Sequence, residues 1–233
     1  MRTLAVLLLV PAVSLLAQDE RHVTSPDGQI EFRIFLAQPE PGALFQLAYQ
    51  VFFRGKRLLD TSFLGLEIHN QEPILGANLG LTTSSTATGK QYNTLTAEYM
   101  QNGSLGRRLN VEVRAFDEGV AFRYFVPKSL PLDPIMLDDE ATEFSFAQDL
   151  PKDFKSPLPV VAEQPGVAWV AVTEVPLPDY PRMVLNRSDA KTVISRLVRP
   201  LETATPLACP WRLLLINTSR ERLLKPNLAF LQP

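Results

Sequence analysis

The sequence is poor in the residues that most often carry chemistry. Its 233 residues include one cysteine, Cys209, and two histidines, His22 and His69. A lone cysteine cannot close an internal disulfide, and these few residues form no Cys/His metal cluster. Glycine is sparse, with 11 residues, and no glycine-rich loop of the kind that cradles a phosphate occurs. Charge of one sign is also lacking: 23 Lys and Arg stand against 25 Asp and Glu, for a formal net charge of −2. A nucleic-acid binder would carry a basic face, so that class is set aside. No stretch shows a sustained 3.6-residue apolar stripe with caps, which argues against a helical bundle. No internal repeat or low-complexity tract is visible. A hydrophobic share of 45% is ordinary for a globular chain and too high for a disordered one.

What the chain has in excess is proline, 20 residues, roughly twice the usual share. Proline interrupts helices and sits well at turns and strand ends. One long apolar run exists, at positions 4–16, broken only by Ser14 and preceded by Arg2. Ala17 then offers a small residue before Gln18–Asp19–Glu20. The pattern reads as a secretory signal over residues 1–17, too short to span a bilayer; the alternative is an uncleaved anchor. No cysteine follows it, so a lipoprotein anchor has no attachment point. Residues 18–233 are expected to form an exported domain, periplasmic or extracellular, free of the membrane after cleavage and held by packing.

The body of the chain reads as strands. Ile30, Phe32, Ile34 and Leu36 alternate with Glu31 and Arg33, after the turn Ser25–Pro26–Asp27–Gly28. Phe45, Leu47, Tyr49, Val51 and Phe53 repeat the period of two, and Arg54–Gly55–Lys56 turns the chain back. Leu95, Ala97 and Tyr99 lead to Asn102–Gly103, a strong hairpin signal. Leu109, Val111, Val113 and Ala115 pass through Asp117–Glu118–Gly119 into Val120, Phe122, Tyr124 and Val126, which predicts a hairpin. Later runs fall at 167–172, 192–197 and 211–216. A proline-rich stretch, 126–159, is read as a long crossover between sheets, with a strand-like alternation at 143–146. The fold class expected is all-β, a large antiparallel β-sandwich.

Candidate chemistry is thin. Asp138–Asp139–Glu140 reads first as a solvated loop, and Asp117–Glu118–Gly119 as hairpin chemistry. The tripeptides beginning at Asn102, Asn186 and Asn217 match glycosylation acceptors, but such matches are short enough to arise by chance. Trp211 could stack on a sugar and Arg212 fork onto a carboxylate. The reading preferred is structural: Trp211, Leu213 and Leu215 share one face of a strand, with Arg212 on the other in an ion pair.

The run 106–124, GRRLNVEVRAFDEGVAFRY, resembles a block in the N-terminal domain of glycoside hydrolase family 97. Other pieces follow in the family's order: Ser25–Pro26–Asp27–Gly28, then Ala171–Val172–Thr173–Glu174 with Asp179–Tyr180, then Pro210–Trp211–Arg212 just after Cys209. Asn227–Leu228 and Pro233 resemble the end of that domain. The resemblance implies a galactose-mutarotase-like supersandwich over 18–233, followed in the family by a (β/α)₈ barrel and a small β domain. Family members are exported bacterial enzymes that hydrolyse α-glucosidic or α-galactosidic bonds and use calcium. Their acid and base carboxylates belong to the barrel, so no catalytic residue is expected in this chain. The family's N-terminal domain contributes a glutamate to the barrel's calcium, and Glu174 matches it; calcium binding here is expected only with a barrel partner. The aromatic-rich stretch the family carries near Asp153–Lys155 is absent. The function implied is a stand-alone or truncated sandwich that binds carbohydrate or supports a calcium-dependent barrel. The alternatives are an independent carbohydrate-binding module and a mutarotase-type enzyme.

Overall fold

Alternation becomes geometry wherever one strand face is buried. In the computed structural model, Ile30, Phe32 and Ile34 point into the core from one strand, and Tyr49 and Val51 meet them from the next. The structure describes residues 18–103, 106–128, 130–152, 157–223, 226 and 228–231. The expected signal at 1–17, the stretch at Asp153–Lys155, and the closing Asn227 and Pro233 lie outside the described residues.

The strands run in order β1 (Gln18–Thr24), β2 (Ile30–Ala37), β3 (Gln46–Phe53), β4 (Lys56–Phe63), β5 (Leu66–Ile68), β6 (Gln71–Leu75) and β7 (Leu79–Ala87). They continue with β8 (Tyr92–Gln101), β9 (Arg108–Phe116), β10 (Gly119–Val126), β11 (Ile135–Glu140), β12 (Glu143–Ser145) and β13 (Val160–Gln164). The last are β14 (Ala168–Val175), β15 (Met183–Arg187), β16 (Thr192–Leu197), β17 (Leu201–Thr203), β18 (Leu207–Ala208) and β19 (Trp211–Asn217). Helix is limited, among the described residues, to α1 (Arg220–Leu223) and single 3-10 turns at Leu130–Leu132 and Ala229–Leu231.

Two layers result. One is the ladder β13-β14-β19-β10-β9-β8-β7, with β18 beside β10. The other starts with the meander β1-β2-β3-β4 and is extended by β17-β11-β5-β6 and by β12-β16-β15. The two layers meet through aromatic rings. Phe32 stacks on Tyr49 at 5.2 Å between centroids, and Tyr49 lies 5.1 Å from Phe122 of the facing layer. The expected antiparallel sandwich is present.

The hairpin β9–β10 turns on Asp117–Glu118, with Phe116 paired to Gly119. Gly119 is needed on steric grounds: a Cβ there would stand 2.2 Å from the carbonyl oxygen of Leu214 on β19. The strand β10 can therefore pair on both sides. Its neighbour β19 is buried on both faces. Leu214 and Ile216 face the main core, while Trp211, Leu213 and Leu215 face a second apolar cluster closed by Leu223, Leu228, Phe230 and Leu231.

The proline-rich stretch leaves the large ladder after β10, places β11 between β5 and β17 and β12 against β16, and returns as β13. This corrects the solvated-loop reading of Asp138–Asp139–Glu140, which forms the end of β11. A register shift between Leu137 and Asp139 resets the alternation, so Glu140 points inward and is fully buried.

Candidate functional site

The charged residues that resemblance singles out converge at one end of the core. Glu174 is the inward-facing residue near the end of β14, and its direct cross-strand partner on β19 is Arg212. Arg212 is fully buried, as is Glu140 at the end of β11. The Arg212 guanidinium forks onto Glu140, with Nε donating to Oε1 at 2.8 Å and Nη2 to Oε2 at 2.5 Å. Its Nη1 donates to Oε2 of Glu174 at 2.5 Å. One arginine thus joins three strands.

The remaining acceptor positions are also filled. Oε1 of Glu174 accepts from Nε of Arg182 at 2.5 Å, and the backbone N–H of Met183 reaches both oxygens at 3.3 and 3.2 Å. Thr142 donates to Glu140 at 2.8 Å. That leaves the Tyr124 hydroxyl to donate to Thr142 at 2.7 Å, while the Tyr124 oxygen accepts from the N–H of Gly65 at 3.1 Å. Ser195 completes the shell of Glu140. A buried charge is costly unless paired and hydrogen-bonded, and here each is both.

The electrostatics follow from this packing. Burial disfavours the charged form of Arg212, but the charge of Glu140 and its hydrogen bonds, with Tyr180 and Glu174 adding, outweigh it and raise the pKa. Burial, then the Glu140 charge, pushes the Tyr124 hydroxyl well above its ordinary value. Cys209, to which Tyr180 donates at 3.5 Å, is pushed up to about 12 by burial and then by Glu140, so its thiol stays protonated and unreactive.

Calcium takes about six to eight oxygen ligands. Among the described residues no cluster of three or more His, Cys, Asp or Glu is arranged to hold a metal. Glu174 offers one carboxylate, and cationic donors already occupy both of its oxygens. By themselves, the described residues of this chain do not fit a calcium ion.

The other candidates sit apart. His69 pairs with Asp138 at 3.0 Å on the surface, and His22 is an exposed residue of β1. Asn102 and Asn186 are exposed and Asn217 is half-buried. Asp117 accepts from the backbone N–H of Asp27 at 3.0 Å, so two of the family-like turns dock on each other. Trp211 lies under the guanidinium groups of Arg114 and Arg123, at 4.7 and 4.5 Å from its ring. Its role is packing, as preferred from the sequence. A hollow of about 640 Å³ beside the β7–β8 turn is lined by 87–92 and Thr94, with no carboxylate among them. A smaller hollow next to it holds Asp117 and Glu118, adjacent on one turn rather than opposed.

Glu140 and Arg182 were the members of the charged cluster that sequence reasoning missed. Arg212 was the available signal, since a buried guanidinium that forks onto one carboxylate still has donors for another.

The family model described as glycosyl-hydrolase 97 N-terminal matches residues 23–157 and 148–231. A retaining α-galactosidase of Bacteroides thetaiotaomicron is 20% identical, across 98% of this chain and 43% of its own length. A solved glycoside hydrolase family 97 enzyme from Pseudoalteromonas sp. strain K8, in complex with acarbose, is 22% identical with a TM-score of 0.69. It aligns with 89% of this chain and 38% of its own. A β-arabinopyranosidase structure is 20% identical with a TM-score of 0.65, over 86% of this chain and 40% of its own. The chain spans about two fifths of the length of these relatives, and the two structures share its fold.

Proposed function

This chain belongs to the glycosyl-hydrolase 97 N-terminal family, and from that premise we propose that it is the non-hydrolytic sandwich of an exported glycoside-processing enzyme. On this reading it braces a catalytic part that carries the acid and base. Glycosides are the substrate class, after the α-galactosidase and the acarbose-bound enzyme it resembles.

The observation that carries the proposal is the state of the buried carboxylates. Glycoside hydrolysis uses two opposed carboxyl groups, about 5–9.5 Å apart, with the scissile bond between them. Glu140 and Glu174 have a guanidinium between them instead, sealed from solvent. A sugar oxygen cannot enter. The network fits a brace: it locks β11, β14 and β19 at one end of the core.

The test is direct. The purified chain is offered aryl α-galactosides and α-glucosides and is run on a glycan array. No turnover and no strong glycan retention are expected. Turnover that disappears in Glu140→Gln or Glu174→Gln overturns the reading, and so does tight glycan binding, which would make the domain an independent binding module.

A further inference from the structure

We propose that Arg182 is a built-in cation for Glu174: it takes the solvent-side position on that carboxylate, so this end of the sandwich is neutralised from within and needs no divalent ion. The Glu174 side chain is 1% exposed and that of Arg182 is 59% exposed, which places the guanidinium as a lid over the acid. Arg212 holds one Glu174 oxygen from the core side and Arg182 holds the other from the solvent side.

The backbone makes this placement firm. Tyr180 and Pro181 are buried on one side of Arg182, and Met183 is buried on the other. The Met183 N–H also binds the Glu174 carboxylate. Arg182 is therefore fixed at its Cα by neighbours on both sides, and only its side chain projects outward. A tethered cation of this kind loses no translational freedom on pairing, whereas a free ion does.

Charge leads to the same conclusion. Glu140 and Glu174 bring two negative charges, and Arg212 and Arg182 bring two positive ones, all linked by ion pairs. The set has no surplus negative charge to attract a divalent ion. A calcium ion arriving from solvent would have to displace Arg182 to reach Oε1 of Glu174, and would draw its remaining oxygens from water. Asp179, three residues before Arg182 in sequence, forms no ion pair with it among the described residues.

The inference takes from the proposed function only the sandwich as the unit, and its test reads metal binding rather than hydrolysis, so the two fail separately. Thermal melts of the chain in saturating calcium and in EDTA are compared with terbium titrations followed by luminescence. The wild-type chain is expected to melt at the same temperature in both buffers. Arg182→Ala is expected to bind terbium at least tenfold more tightly than wild type, and Arg182→Lys to behave as wild type. In Arg182→Ala/Glu174→Gln the gain should vanish. Circular dichroism confirms that each variant is folded; because Arg182 lies on the surface, its loss should leave the sandwich intact. Equal terbium affinity in wild type and a folded Arg182→Ala overturns the proposal. A calcium-raised melt of wild type that is lost in Glu174→Gln overturns it too.

Discussion

Arg212 shows how a single side chain sets both a stability and a specificity problem. It carries the only positive charge within ion-pair reach of Glu140 among the described residues. Arg212→Ala leaves two buried carboxylates short of a partner and is expected to cost about 3–5 kcal/mol in urea denaturation. Arg212→Lys should recover part of this, because one ammonium cannot fork onto Glu140 and still bridge to Glu174. A smaller effect is expected at Asp189, whose carboxylate accepts from the N–H groups of Lys191 at 2.7 Å and Thr192 at 2.9 Å. The Lys191 bond and then the Thr192 bond hold its pKa below the ordinary 3.8. A carboxylate with a lower pKa folded than unfolded stabilises above the unfolded value and loses that contribution as pH falls through the folded one. The melting gap between wild type and Asp189→Asn should therefore be widest at neutral pH and close below about pH 3.8. At this scale the sequence was half informative. Arg212 was legible because Trp211, Leu213 and Leu215 put it on the opposite strand face. Glu140 was not, because a bulge rather than a pattern turns it inward, and its partner is 72 positions away.

Among elements, those with one wet face were the readable ones. The strand β16 falls at Thr192–Leu197, where it was expected, and β2 and β9 lie within a residue or so. The strand β7 (Leu79–Ala87) leaves no period in the sequence because its Ser and Thr side chains are all exposed or half-buried. In β19 both faces are apolar, and the run Leu213–Leu214–Leu215–Ile216 shows hydrophobicity without period. The β9–β10 hairpin is where one atom matters most. Gly119→Ala would drive a methyl against the Leu214 carbonyl and is expected to cost at least about 1–3 kcal/mol, read by chemical denaturation. Gly55→Asn, at a turn where a Cβ meets nothing within 4 Å, should cost less, because asparagine tolerates the positive φ of 73° there.

For the molecule as a whole, the outer cluster is what the sequence concealed. Trp211 reads as a packing residue, yet its cover comes from residues 228–231, where Phe230 stacks on Tyr92 at 4.9 Å and meets Phe116 edge-on at 5.2 Å. Arg114 adds a hydrogen bond to the Phe230 carbonyl. No short sequence window could join residues so far apart. Phe230→Ala is expected to lower stability by about 1–3 kcal/mol and to shift tryptophan emission to the red as water reaches Trp211. The far-ultraviolet circular dichroism of the chain should be dominated by strand; a helical spectrum would contradict the fold.

Cys209 gives the same end of the core a clock. As the sole thiol of the chain, buried and kept protonated beside Tyr180, it can be alkylated only when that region opens. Its labelling rate under native conditions therefore counts openings rather than chemistry. If only global unfolding exposes it, Arg212→Ala should speed labelling about tenfold for every 1.4 kcal/mol it loses in urea. A faster rise would mean that the ladder around β19 opens locally, ahead of the rest.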